Sequence, residues 1–379
     1  MPHPPSSKLA PLGLVSFATQ ALLWAVLAGA LVGWVAEPLW RGRLPSAASL
    51  VALTVQAVVT IVWVSGLSFF GATHIAYLLA TVAPVGGFVA AFANGETRAR
   101  LESWVGRFVA AVLIVPALVG LYASHVEPFW LRVDRIDVAT DAGHGLRIGV
   151  LADLQTRDIG SYERGAVDRL IEQEPDLVVV PGDLWQTDDE FIAAQWPRWA
   201  ELFSELVDGV GLVVIVEGNT DHIGWIELIA AESGAVVVHD RVETFDIDGT
   251  RGVIGGTRDL GSVPAAPSLR AMEDLIAAES DEVVTIALTH RPDIIGWLPG
   301  EVDLIVTGHT HGGQIQLPLI GPLVTASSVP RHIAAGGLND IDGHRIYVST
   351  GVGLERSDAP QVRLGVRPSI GILDLVAPS

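Results

Sequence analysis

Cysteine is absent from the 379 residues, so no thiolate is available as a metal ligand or as a nucleophile. No G-x-S-x-G strand-to-helix turn is present either, which removes the usual serine nucleophile. Basic residues are scarce: 23 Lys and Arg stand against 43 Asp and Glu, for a net charge of −20. The imbalance is local. Residues 131–379 hold 17 basic and 39 acidic side chains, net −22, whereas residues 1–130 hold 6 and 4, net +2. A nucleic-acid surface needs the opposite sign, so nucleic acid is excluded as a partner, although a compact phosphate can still be drawn to cations held in an acidic domain. Runs such as Asp188-Asp189-Glu190 read as solvated surface and a helix N-terminus. No internal repeat is visible.

Hydrophobic residues, at 50%, are abundant, and the excess lies at the N-terminus. Residues 12–36, 48–71, 73–93 and 106–124 are apolar stretches, each near the ~20 residues needed to cross a bilayer. They predict four transmembrane helices in an N-terminal membrane region, 1–130, followed by a second domain, 131–379. Pro45, Gly95 and the segment 126–132 mark the boundaries. Trp24, Trp34, Trp40, Trp63, Trp104 and Trp130 fall partly near the expected span ends. A secretory signal peptide is disfavoured, because no small-residue cleavage site separates the first stretch from the next. Ionisable groups within membranes mark transport, and here His74, near the start of a span, is the candidate. A transporter is therefore disfavoured, and the spans read as an anchor or lipid-facing platform. Gly29 and Gly33 form a GxxxG pair that would let helices pack closely. Arg41, Arg43, Arg98, Arg100 and Arg107 lie on one side of such a bundle, against Lys8, Arg132 and Arg135 on the other. Positive loops stay in the cytoplasm, which favours an extracytoplasmic second domain.

That second domain alternates β-branched strands with amphipathic helices, expected at Tyr162–Glu174, Phe191–Val207 and Trp225–Glu232, a pattern of parallel strands covered by helices. From Val236 to Asp259 short strands are expected, with turns at Asp248-Gly249 and Gly255-Gly256. Five strands end on a metal-capable side chain. LRIGVLAD closes at Asp153, LVVVPGD at Asp183, LVVIVEGN at Asn219 and EVVTIALTH at His290, while VDLIVTGHTHGGQ delivers His309 and His311. Parallel strands carry function beyond their carboxyl ends, so these groups converge on one rim. Two histidines two apart in an extended segment reach one centre or two adjacent ones. Carboxylates with imidazoles suit Mn, Fe or Zn.

In this order, Asp153, Gly182-Asp183, Gly218-Asn219, His290 and Gly308-His309-Thr310-His311 resemble the calcineurin-like metallophosphoesterase family, with its DxH, GDxxD, GNH, H and GHxH motifs. The GHTHGGQ wording and the tail 347–370 resemble its membrane-associated branch, some members of which cleave phosphate esters of lipids or nucleotide-linked lipids. The resemblance implies a four-layer α/β/β/α sandwich and a site for two divalent metal ions. One metal would take Asp153, Gln155, Asp183 and His311, and the other Asp183, Asn219, His290 and His309, with Asp183 bridging. It further implies hydrolysis of a phosphate ester or pyrophosphate, on a small molecule or a lipid headgroup, by a metal-bound hydroxide.

Three positions depart from the motifs: Gln155 replaces the His of DxH, Gln186 the last Asp of GDxxD, and Thr220 the His of GNH. An amide is a weaker, neutral donor that still ligates through its carbonyl oxygen. The family's histidine at 220 acts on the leaving group or the phosphoryl oxygens, and Asp221 and His222 are the candidate substitutes, with an exposed loop histidine as the simpler reading of His222. Asp183, Asn219 and His222 are the expected catalytic residues. The competing expectation is a degenerate relative that binds metal or phosphate with little turnover.

Overall fold

The computed structural model describes residues 118–378, apart from 223, 259–263, 279, 281 and 357–358, together with residue 115. The first three apolar stretches lie outside the described residues; of the fourth, residues 118–124 belong to a helical segment that runs to residue 125. Among the described residues no helix is long and apolar enough to cross a membrane.

In chain order the strands are β1 (Arg132–Ala139), β2 (Arg147–Val150), β3 (Leu177–Val180), β4 (Val213–Ile215), β5 (Val236–Val237), β6 (Arg241–Ile247), β7 (Thr250–Gly256), β8 (Val283–Leu288), β9 (Leu304–Thr307), β10 (Gln316–Leu317), β11 (Gly321–Pro322), β12 (Gly337–Ile341), β13 (His344–Val348) and β14 (Ser369–Val376). The helices are α1 (Ser161–Ile171), α2 (Asp189–Val210), α3 (Trp225–Ser233), α4 (Ala266–Ala277) and the single turn α5 (Arg331–Ala334). Two six-stranded sheets form, ordered β1-β14-β2-β3-β4-β5 and β12-β13-β9-β8-β7-β6.

Both sheets are parallel at their centres, β2 to β5 in one and β7 to β9 with β13 in the other. A parallel sheet needs cover on both faces, and the sequences of β3 (LVVV) and β9 (LIVT) are buried throughout. Alternation divides these side chains between layers. Val178 and Val180 of β3 pack with Val167 and Leu170 of α1 and Leu202, Phe203 and Leu206 of α2. Leu177 and Val179 face inward onto Ile286, Leu304 and Val306 of the second sheet. Ile305, on the far side of β9, packs with Met272 and Leu275 of α4 and Ile333 of α5. Three cores thus separate four layers, α/β/β/α, as the resemblance implied.

The helices start and stop near their expected positions. Asp188 caps α2 by accepting a hydrogen bond from the Phe191 N–H at 2.8 Å, which fixes the entry to that helix two residues before the expected start. One turn expectation holds and the other is corrected. Asp248 and Gly249, both at positive φ, join Ile247 to its partner Thr250 in a two-residue hairpin. Gly255 and Gly256 are not a turn but the last residues of β7, paired with Ala287 and Leu288. A β-carbon on Gly256 would lie 2.1 Å from the Val238 carbonyl oxygen, so the glycine serves close backbone approach inside the sandwich.

Candidate metal centre

Each chemistry-bearing side chain stands just past the carboxyl end of a strand. Asp153 follows β2, Asp183 follows β3, Asn219 follows β4, His290 follows β8, and His309 and His311 follow β9. Five of them or their neighbours, Asp153, Gln155, Asp183, His309 and His311, hold φ between 33° and 70° without being glycine. Left-handed backbone at such residues costs on the order of 1–3 kcal/mol each and collects at functional sites. The close packing around them is equally specific. A β-carbon on Gly308 would sit 2.5 Å from Asp153 Oδ2, so glycine is required where β9 delivers its histidines beside that carboxylate.

Asp183, His290 and His309 present ligand atoms that all lie within 4.8 Å of one another. His290 Nδ1 contacts the Pro181 carbonyl oxygen at 2.9 Å, which makes Nδ1 the N–H donor and turns the Nε2 lone pair inward. In His309 the Nε2 atom lies 3.1 Å from the Ala326 carbonyl oxygen, and Nδ1 turns inward. Around His290 Nε2 stand Asn219 Oδ1 at 3.0 Å, His309 Nδ1 at 3.1 Å and Asp183 Oδ2 at 3.3 Å. The two oxygens are acceptors, and each ring nitrogen is one when it carries no proton. Lone pairs so placed repel unless a proton or a cation lies among them, and nitrogen with carboxylate and amide oxygen is a donor set for a divalent metal. Arg291 borders this cluster, with Nη2 3.2 Å from Asn219 Oδ1 and Nη1 3.1 Å from His309 Nε2.

A second group adjoins the first through Asp183. Asp153 Oδ2, Gln155 Oε1 and His311 Nε2 are buried without a hydrogen-bond partner among the described residues. A buried polar atom left unsatisfied costs about 1–3 kcal/mol, so three together fit a cation that they would ligate. The orientation of the Gln155 amide is set by two carboxylates: its Nε2 donates to Asp183 Oδ2 at 3.0 Å and to Glu355 Oε2 at 3.3 Å. The flipped amide would point its oxygen at both acids, so the carbonyl oxygen is the atom left facing away from them. His311 is oriented less firmly, since its Nδ1 faces the Arg363 Nη2 at 3.4 Å rather than a backbone carbonyl.

Electrostatics divide the two buried aspartates. Burial pushes Asp153 up to about 7, with His290 lowering it and the charge of Asp183 raising it. Burial also works to raise Asp183, but the charge and hydrogen bond of His290 and the Thr220 N–H at 2.8 Å outweigh it and hold Asp183 below the ordinary carboxylate range. Burial lowers His309 to about 4 and puts His311 well below its ordinary value, which keeps both rings neutral and able to ligate.

The candidate substitutes for the GNH histidine are placed differently from the cluster. Thr220 donates its hydroxyl to the Trp185 carbonyl oxygen at 2.8 Å. Asp221 accepts from the backbone N–H groups of Asp183, Leu184 and Gly218, each at 2.8 Å, so it ties the strand-end loops together. His222 Nδ1 lies 2.7 Å from Asp189 Oδ1 at the start of α2, and its ring lines a cleft of about 410 Å³ with Asn219, Thr220 and Gln186. His222 is thus at the rim, outside the Asp183, His290 and His309 group.

Sequence reasoning missed Glu355 and Arg363. Glu355 receives both variant glutamines, Gln155 as above and Gln186 Nε2 at 2.7 Å, and burial raises its carboxyl. Arg356 completes the cluster, its N–H donating to Gln186 Oε1 at 2.6 Å and its side chain to the Gln155 carbonyl. Arg363, fully buried, donates to the carbonyls of Thr350 and Gly353 at 2.7 and 2.6 Å and so knots the loop behind His311. The variant glutamines were the available signal for a compensating partner, but nothing in the sequence pointed to position 355.

Residues 146–313 match the family model described as Calcineurin-like phosphoesterase. The chain is similar to an uncharacterized metallophosphoesterase, YkuE, of Bacillus subtilis (strain 168), at 27% identity over 73% of this chain and 96% of the relative. It is similar to the phosphodiesterase YaeI of Escherichia coli (strain K12), at 26% identity over 67% of this chain and 92% of the relative. An uncharacterized metallophosphoesterase of Aquifex aeolicus (strain VF5) matches at 25% identity over 69% of this chain and 98% of the relative. With acids and imidazoles gathered at the carboxyl ends of strands inside the matched segment, residues 146–313 form a calcineurin-like phosphoesterase domain, and the chain is a hydrolase.

Proposed function

We propose that the chain is a membrane-anchored phosphoesterase that works with two divalent metal ions. Four inward-facing atoms able to ligate, on Asp183, Asn219, His290 and His309, carry this reading. These residues hold one metal, and Asp153, Gln155, Asp183 and His311 hold the other through the three orphaned atoms. Bound metals supply a nucleophilic water near neutral pH and charge compensation for the phosphoryl oxygens. The chain's own groups do the rest. The Pro181 and Ala326 carbonyls fix the rings of His290 and His309 so that each turns one nitrogen inward. Arg291 and Asn219 at the mouth bind phosphoryl oxygens, and His222 on the cleft wall stands where a leaving group departs.

The substrate is a phosphate ester or pyrophosphate, in keeping with the phosphodiesterase name of one relative, and the apolar N-terminal sequence points to a lipid-borne one. The count of five positive residues against three favours an extracytoplasmic domain. Metal analysis of the full-length protein, joined to hydrolysis assays on phosphomonoesters, diesters and pyrophosphates, tests this. Wild type should carry two metals and turn over at least one class, and Asp183→Ala should lose both ions and all activity. Full metal content in Asp183→Ala would overturn the bridging role, and two metals without turnover on any class would favour a binding protein instead.

A further inference from the structure

We propose that the edge of the domain formed by the β10–β11 hairpin and the segment 118–130 is a docking surface for a lipid bilayer, with the hairpin tip inserted beside the metal centre. This deepens the preceding reading and rests on it only for the claim that the phosphate is lipid-borne.

Apolar exposure on the described domain is concentrated here. Leu319, Ile320, Leu323 and Val324 stand out from the hairpin, and Leu319, at the tip, has no cover at all. From the other segment Leu118, Leu121, Val126, Phe129 and Trp130 are exposed. Leaving such side chains in water forfeits the gain from burying apolar surface, and a contiguous patch of this kind marks an interaction site. The two segments flank one strand-like stretch. The Arg363 N–H donates to the Ala123 carbonyl at 2.8 Å and the Gly365 N–H to the Glu127 carboxylate at 3.1 Å. The intervening Leu364 pairs with Ile315 at the base of the hairpin, where the Gln316 N–H donates to its carbonyl at 2.8 Å.

Three observations favour a bilayer over a second protein. The chain leaves this edge at residue 118 into 117 residues that include three of the four apolar stretches and most of the fourth, each stretch long enough to span a bilayer at about 1.5 Å per residue. Trp130 lies under the Arg367 guanidinium, 4.2 Å from its carbon to the ring centroid, an aromatic and cation pair suited to the headgroup layer. Arg331 is exposed on α5, which packs against β11, so a positive group borders the apolar tip although the domain as a whole is strongly acidic. The hairpin also adjoins the centre directly: the Ala326 carbonyl that orients His309 follows it, and Gly313 packs on Pro322 and Val324. A bilayer at this edge therefore brings headgroup phosphates to the mouth of the site.

The chain has no cysteine, so single-cysteine labelling is unambiguous. Full-length Leu319→Cys, Ile320→Cys and Asp248→Cys proteins, each carrying a polarity-sensitive fluorophore, would be reconstituted into equimolar phosphatidylcholine and phosphatidylglycerol vesicles containing lipid-borne quenchers. Asp248 is the control, in the exposed turn at the amino end of β7 and away from the carboxyl-end rim. Labels at 319 and 320 should be blue-shifted and strongly quenched from within the bilayer while the label at 248 is not. Equal, aqueous behaviour at all three positions overturns the proposal. So does a shielded label at 319 that lipid quenchers do not reach, which would assign the surface to another protein. Hydrolysis of vesicle-borne phosphatidic acid, followed in parallel, separates the two readings: bilayer-embedded labels without hydrolysis support docking and count against the lipid phosphoesterase.

Discussion

Asp153 and Glu355 show how single residues govern this centre. Asp153 has its folded pKa raised from 3.8 to about 7, so between those values the folded state binds a proton that the unfolded state does not. Its contribution to stability is present below pH 3.8 and is lost as pH rises through about 7. Metal-depleted Asp153→Asn, which keeps the shape without the charge, should melt higher than wild type at about pH 8, by the equivalent of roughly 1–4 kcal/mol, and should lose that advantage near pH 4. His309, lowered from 6.5 to about 4, titrates across part of the same window with the opposite sign. It is common to both proteins and cancels in the comparison. Glu355 acts through its partners. Glu355→Ala frees the Gln155 and Gln186 amides, so metal titration should show the looser of two binding steps weakened about 10- to 100-fold, with the tighter step, at His290 and His309, unchanged. Loss of both steps together would place Glu355 in the general scaffold rather than behind one metal.

At the scale of elements, β3 has the most to lose. It leads into Asp183, the proposed bridging ligand, and is buried on both faces between the outer helices and the second sheet. Leu177→Ala should cost about 2–5 kcal/mol in urea unfolding, because the space between two rigid sheets cannot collapse around a cavity. Asp188→Ala, which removes one cap from α2, should cost only about 0.5–2 kcal/mol. Much of this level could be read in advance. Continuous β-branched runs ending in Asp or His gave the strands, their direction and the rim. The glycine pair at 255–256 was misjudged because glycine marks both turns and close packing, and only Val238 and Leu275 pressing on β7 distinguish the two.

For the whole molecule, metal is predicted to be part of stability as well as of chemistry. Buried acceptors facing one another without a cation strain the apo protein, so adding Mn or Zn at a hundredfold excess over the dissociation constant should raise stability by about 2.7 kcal/mol per site. Thermal melting with and without chelator measures it, and Asp183→Ala should show no metal-dependent shift. A melting curve of wild type indifferent to chelator would remove the metal from the account.

The sequence by itself determined the alternation of strands and helices, the strand ends that converge, and the residues Asp153, Asp183, Asn219, His290, His309 and His311, because local hydrophobic period and terminal polar residue are both written along the chain; the four-layer sandwich was implied by the family resemblance and not by period. It also displayed the exchanged positions Gln155, Gln186 and Thr220 without saying what answers them. The tertiary structure decided that. Glu355 meets Gln186 across 169 positions and Gln155 across 200, contacts that no period of 2 or 3.6 encodes. The orientations of the His290 and His309 rings depend on carbonyls of Pro181 and Ala326, brought in by other loops. The apolar hairpin reads in sequence as ordinary β-forming residues, and only its lack of cover beside residues 118–130 makes it a surface. Burial and long-range hydrogen bonding are properties of the packed chain, which is why these features emerged only when the fold was seen.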